Sequence, residues 1–394
     1  MQGAPLRPLI AAALVFLTML SSTLLIPAVR PFFAAVHPQH EDGLFLFMSV
    51  NMLGAIVGGP LLAWVADATG KRGLVLILAC VVDGALLFLC SLGLPLPLVL
   101  TLRALQGMAN VGALSVLMGL TTARGLPVVG GATIAAIAAG APLGTLLLGA
   151  DPAWPLQVGA MLPLLVAIAV AALAPGAEPG RPRRGSISTG LRLVFLPGVF
   201  VFAERFAIGL FIVPFSLLCH ERGIGDDVTG RLFAAFLIPF AVVTALVPRT
   251  ALGPAAAVVV GVCLYAGSLF IVGRVDGVPL SSLILLVGGT GAALVYAPAL
   301  RTAARVAPAE HRAAAMGALN AMGALGMLLG SGGAGFVKRG LAASGADREA
   351  SLIGAFDVAA AGLVVLLLVF IVPFSRVAAR VEDDDDDDDV SVSP

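Results

Sequence analysis

The sequence predicts an all-α integral membrane protein whose twelve transmembrane helices form two pseudo-symmetric six-helix bundles. Three observations carry this expectation. Of 394 residues, 59% are hydrophobic and only 12% charged, with a mean hydropathy of +1.04. A soluble surface needs roughly 25% charged residues, so the solvent for most of these side chains is lipid. Twelve apolar stretches then follow one another, each about twenty residues long, the length that crosses a bilayer as a helix. Finally, the longest polar interruption, PGAEPGRPRRGSISTG at 175–190, falls after the sixth of them.

The stretches lie near 8–29, 44–66, 73–92, 96–119, 127–149, 154–174, 192–218, 231–248, 254–273, 279–300, 313–336 and 352–374. Helices are expected because lipid cannot satisfy open backbone groups, and no barrel-like alternation is visible. The first stretch, with Arg7 before an apolar core, imitates a signal peptide. Its core runs on to Ile26, too long for one, and it is read as a retained span. With both termini cytoplasmic, fourteen Lys and Arg face inward and seven outward, as the positive-inside bias requires. The chain is therefore divided into an N-terminal bundle (1–174), a cytoplasmic linker (175–190), a C-terminal bundle (191–375) and a disordered acidic cytoplasmic tail (376–394).

The two halves echo each other. GAPLGTLLLG at Gly140 matches GALGMLLG at Gly323, an offset of 183 residues, and the segments around Pro27 and Pro214 are offset by 187. Parallel repeats of this kind are a transporter architecture. The neutral formal charge hides a segregation, because residues 382–389 supply eight of the 23 acidic groups. The body is basic, and with its apolar spans it points to a bacterial-type inner membrane, with no role for nucleic acid.

Cys80, Cys90, Cys219 and Cys263 have neither metal-ligand spacing nor a disulfide framework. No Walker A, Gly-rich nucleotide fingerprint or nucleophile–base arrangement is present, so the expectation is no enzyme, no cofactor and no metal.

One joint stands out. VADATGKRGLVL (65–76) places Asp67, Gly70, Lys71 and Arg72 between the second and third spans. Gly70 supplies the freedom of a tight turn, Lys71 and Arg72 anchor at the headgroups, and Asp67 can accept from a helix N-terminus or a nearby Arg. This stretch resembles the Gly-x-Leu-Ala-Asp-Arg-x-Gly-Arg-Arg signature of the major facilitator superfamily. Ala63 stands where its first Gly is expected, and Ala68 where its Arg is. The resemblance implies a conformational latch made by Asp67, Gly70 and Arg72. In the fourth span, LTLRALQGMANVGA resembles the family's Arg-x-x-Gln-Gly pattern through Arg103, Gln106 and Gly107. In the fifth, Gly131, Gly140 and Gly144 keep the spacing of the exporters' Gly-rich signature, with Thr145 in place of its Pro and Pro142 nearby. Within the superfamily the pattern is most similar to twelve-helix drug/proton antiporter-like exporters.

Ionisable groups at membrane depth are costly and usually face protein or a water-filled cavity. Asp83, Arg103, Glu204, Arg205 and Asp357 fall inside spans. Asp83 and Arg103 lie ten residues either side of Gly93, and hence at matched depth, about 15 Å below the turn. They read either as a proton-linked pair or as a structural salt bridge. Glu204 and Arg205 sit near the centre of the seventh span, which the resemblance places on the central cavity. Asp357 reads as interfacial.

Glu204, then Asp83 with Arg103, are thus the proton-coupling candidates. Arg205, Gln106, Asn51, Asn110, Asn320, Phe200 and Phe211 are the substrate-path candidates. The amides can equally be interhelical hydrogen bonds, and most Phe of the seventh and eighth spans packing residues. The expected function is secondary active transport by alternating access, as a proton-coupled exporter of a small amphipathic organic molecule. Its partners would be that substrate, protons and the bilayer, with the chain a monomer. The alternatives are a nutrient importer of a sugar or carboxylate, and a non-transporting membrane sensor or assembly factor.

Overall fold

Apolar side chains with no period-two alternation leave the helix as the form that satisfies every backbone group internally, and helices dominate the chain. The computed structural model describes residues 6–39, 43–122, 125–148, 151–173, 187–247, 252–308 and 311–390. Within them lie α1 (Pro8–Thr23), α2 (Val29–Val36), α3 (Gly43–Thr69), α4 (Arg72–Cys90), α5 (Leu96–Gly119), α6 (Leu126–Leu147) and α7 (Trp154–Leu173). The second half follows as α8 (Ile187–Glu221), α9 (Asp226–Leu246), α10 (Pro254–Val272), α11 (Val278–Val306), α12 (Arg312–Ala343) and α13 (Arg348–Val390). Proline in the first turn of α1, α5, α6, α10 and α11 marks their starts, where its missing N–H costs nothing.

The twelve expected spans correspond to α1 and α3–α13. Ten of these helices are long and apolar enough to cross a membrane. The helix α1 is shorter, and α5 carries Arg103, Gln106 and Asn110 in its middle. Two boundaries differ from the sequence expectation. The first span stops at Thr23 and gives way to a turn at Pro27, whose ring cannot continue a helix; α2 then forms separately. The last helix continues to Val390, through residues expected to be a disordered tail, because no Gly or Pro lies between Pro373 and Val390 to stop it. Residues 175–186 of the expected linker and 391–394 lie outside the described residues, and residues 187–190 already belong to α8.

The packing shows the duplication. In the first half α1 packs on α6, α3 on α5, and α4 on both α5 and α7. The second half repeats this six spans later, with α8 on α12, α9 on α11, and α10 on both α11 and α13. Between halves, α3 meets α12 and α6 meets α9, two contacts that exchange under the same relation. At the first of these, a Cβ built on Gly317 would lie 2.3 Å from the Gly59 carbonyl oxygen, so the two backbones touch only because both residues are glycine.

Candidate functional site

In the first half, the buried side chains of Asn51, Asp83, Arg103, Gln106 and Asn110 form one connected network. Asp83 on α4 accepts hydrogen bonds from the side-chain amides of Gln106 and Asn110, the latter at 2.8 Å. Gln106 Oε1 accepts from Arg103 Nη1 and from Asn51 Nδ2, at 2.9 Å for Asn51. Asn110 also donates to the Thr18 carbonyl of α1 at 3.1 Å. The Arg103 guanidinium lies over the Phe47 ring, 4.8 Å from its centroid. Asp83 and Arg103 do share a depth, each seven residues from the turn-side end of its helix. No ion pair joins them among the described residues; Gln106 stands between. Asn51, Gln106 and Asn110, expected on the substrate path, are buried here as interhelical hydrogen bonds, which amides in lipid require.

The second half holds a different arrangement. Glu204 lies at the midpoint of α8, seventeen residues from Ile187 and seventeen from Glu221. It is fully buried, and neither carboxyl oxygen accepts a hydrogen bond. Arg205 Nε comes within 3.3 Å of Oε2, an ion-pair distance without hydrogen-bond geometry. Arg205 keeps 15% of its side chain exposed and lies over the Tyr296 ring of α11, 5.1 Å from the centroid. Tyr265 of α10 is within electrostatic reach of both charges, and its hydroxyl has no partner. Sequence reasoning missed the two tyrosines, although a signal existed: the chain has only two Tyr, and both fall in apolar spans.

Phe200 packs against Phe374 at 4.9 Å, and Phe211 sits among Phe215, Phe233, Phe236 and Phe356, in the apolar interior of the second half. Phe211 also lines a small cavity there with Phe236, Tyr265 and Ser268. Asp357 is tied to Arg274 by two hydrogen bonds of 2.7 and 2.8 Å at the half-exposed end of α13.

The joint at 67–72 reaches across the halves. Gly70 takes φ +68°, the left-handed turn that the sequence pattern demands. Asp67 Oδ1 is held by Arg72 Nε at 2.8 Å, and Oδ2 accepts the backbone N–H of Ala314 at 2.8 Å. Ala314 is the third residue of α12, whose own N-cap residue, His311, makes no side-chain cap. Asp67 therefore caps a helix of the opposite half, placing a carboxylate against the positive end of its dipole. Nearby, Asn320 of α12 donates to Ser115 Oγ of α5 at 3.0 Å. A Cβ on Gly131 of α6 would fall 2.8 Å from the Ala241 carbonyl of α9. Gly140 instead holds α6 against the end of α1, and Gly144 against the turn at Leu24 and Pro27, both inside the first half. These cross-half contacts all lie at the end of the bundle that carries the joint.

The Major Facilitator Superfamily model matches residues 11–331, most of the chain. The chain belongs to the major facilitator superfamily. This member also shares its fold with a solved structure described as the crystal structure of the human organic anion transporter MFSD10 (TETRAN). The TM-score is 0.73 at 18% identity, over 92% of this chain and 98% of that one. No curated protein sequence matches the chain. Family and fold make this superfamily member a multi-pass membrane protein and a secondary transporter.

Proposed function

We propose that the protein is a proton-coupled transporter of a small amphipathic organic molecule, working by alternating access, with Glu204 as the proton carrier. The observation that supports this is the state of the two buried acids. Protonating Asp83 would break the hydrogen bonds it accepts from Gln106 and Asn110. Protonating Glu204 breaks none, because its oxygens accept none. A carrier must change its protonation state in every cycle, and Glu204 can do so without losing a hydrogen bond. Its position at the midpoint of α8 is where either membrane face can supply or remove the proton.

Asp67, Gly70 and Arg72 form the latch in this reading. With the termini cytoplasmic, as the positive-inside bias implies, the sealed end is the cytoplasmic one and the latch holds it shut. The proposed direction is export from a bacterial-type inner membrane, supported by the glycine spacing of α6. A second reading, uptake of a carboxylate, is favoured by one observation: Arg205, a cation with part of its side chain exposed, stands beside Glu204.

The test uses purified protein in liposomes with an imposed pH gradient, reporting internal pH during flux of candidate substrates. Glu204→Gln should reduce pH-driven flux to that of protein-free liposomes while sparing gradient-independent exchange. Uphill transport that survives Glu204→Gln would place the carrier elsewhere.

A further inference from the structure

The geometry points to an organic anion as the substrate, its negative group taking the Arg205 guanidinium when Glu204 gives it up. This deepens, and rests on, the reading of Glu204 as the coupling acid. Two cations lie in the interior of the bundle, and they differ in what is left of their binding capacity. Arg103 is fully buried in the first half, donates to Gln106 and is covered by Phe47. Arg205 has as its acidic neighbour only the carboxylate next to it in the chain, and retains exposed surface. A planar guanidinium over a tyrosine ring is preorganised to take a carboxylate or similar anion with two donors at once.

Charge balance then fixes when the anion binds. With Glu204 ionised, the Glu204–Arg205 pair is neutral within itself. An arriving anion would have to displace a carboxylate that is already in place. With Glu204 protonated, Arg205 is left as an uncompensated charge in low dielectric, which is costly until an anion arrives. Other titratable groups in reach are Tyr265 on α10 and Tyr296 on α11. The charges that α9, α12 and α13 carry lie towards their ends, with Asp357 held by Arg274. Proton and anion therefore bind together, one of each, and the loaded and empty sites are both neutral. This is co-transport, the opposite of the exchange expected if a cation competed with the proton for Glu204. Export by such co-transport then requires an outward anion gradient larger than any inward proton gradient, and uptake results where the proton gradient is the larger.

The tyrosines add selectivity for the rest of the molecule. Tyr296 lies against the guanidinium, Phe240 meets Tyr296 edge-on, and Tyr265 with Phe236 tilted beside it lies within electrostatic reach. An aryl or alkyl carboxylate suits this surrounding better than a small hydrophilic acid does.

The experiment measures binding to the purified full-length protein, by thermal shift and titration calorimetry, of 1-naphthoate, 1-naphthol and 1-naphthylmethylamine. These share one ring system and differ in charge. At pH 5.5 and pH 8.0, where naphthoate is ionised throughout, wild type should bind naphthoate at least tenfold more tightly at the lower pH, and should prefer it to the other two. Arg205→Gln should lose at least tenfold in naphthoate affinity, and Arg205→Lys should keep part of it. Glu204→Gln should bind naphthoate equally at both pH values, at the affinity wild type shows at pH 5.5. Elution as a single monodisperse species confirms that each variant is folded.

A preference for naphthylmethylamine, no response to naphthoate, or unchanged naphthoate affinity in Arg205→Gln would overturn the anion assignment. These outcomes stand apart from the coupling test. Loss of pH-driven flux in Glu204→Gln combined with a preference for naphthylmethylamine would leave the carrier in place and remove only the anion.

Discussion

The first half of the molecule buries its acid among hydrogen-bond donors, whereas the second half buries its acid among rings beside one arginine. Both halves have the same helix pairing, so the contrast comes from side chains placed on a repeated frame. Asp83 accepts two amide hydrogen bonds, and its cation is joined to it through Gln106. Glu204 accepts none, and its cation is its neighbour in sequence. The hydrogen bonds to Asp83 hold the first-half network in one geometry, which suits a rigid half. The proposed role of the second-half pair rests on Glu204 having no such bonds to lose. A buried charge is a working part where its partners leave it a choice, and a structural part where they do not.

The sharpest way to break this comparison is to remove each acid. Asp83→Ala strands Arg103 and the two amides, and should destabilise the folded protein by about 3–5 kcal/mol. Glu204→Gln, which removes no hydrogen bond but leaves Arg205 uncompensated, should lower the melting temperature in detergent by less than Asp83→Ala does. Equal losses in the two variants would erase the distinction between the halves.

A thermodynamic cycle of Asp83→Asn and Arg103→Gln sharpens it further. The Gln106 bridge should couple the two changes by about 0.5–3 kcal/mol. Strictly additive losses in stability would mean that Gln106 insulates the two charges instead of joining them.

The latch joins the halves and gives a smaller effect. Asp67→Asn weakens both the Arg72 pair and the cap on α12, at a cost of about 1–2 kcal/mol. That shifts the balance of open and closed forms at the joint end by about 5–30-fold. Labelling of single cysteines placed at the two mouths should report the shift, and an unchanged labelling pattern would remove the latch role. The least effect is expected of Asn320→Ala, which loses one hydrogen bond across the halves. Such bonds are worth about 0.6 kcal/mol in membrane proteins, so the same labelling should move by about threefold.

Much of the architecture was legible along the chain, because a lipid solvent leaves few options. Twenty apolar residues must become a helix, and Pro or Gly with charge marks its end. The exceptions are where a local signal was outvoted or missing. Pro27 ended α1 inside an apolar run, and nothing stopped α13 after Pro373. Side-chain direction was less legible. Phe200 and Phe211 have the composition of a cavity wall, but their rotation on α8 turns them into the interior of their own half. Asn51, Gln106 and Asn110 were open to two readings until their partners on neighbouring helices were seen.

The sequence by itself determined the membrane spans and their order, the duplication, and which few residues carry charge at membrane depth. Those follow from the transfer free energy of each segment, which is a sum over neighbouring residues and needs no knowledge of the partner. The tertiary structure alone decided that Asp83 and Arg103 meet through Gln106, that Tyr265 and Tyr296 surround Arg205, and that Asp67 caps α12 from 247 residues away in the chain. Those depend on how helices rotate and cross. Small residues such as Gly59 and Gly317 set these contacts by how closely two backbones can approach. A hydrogen bond between segments belongs to neither segment, so no pattern read along one of them contains it.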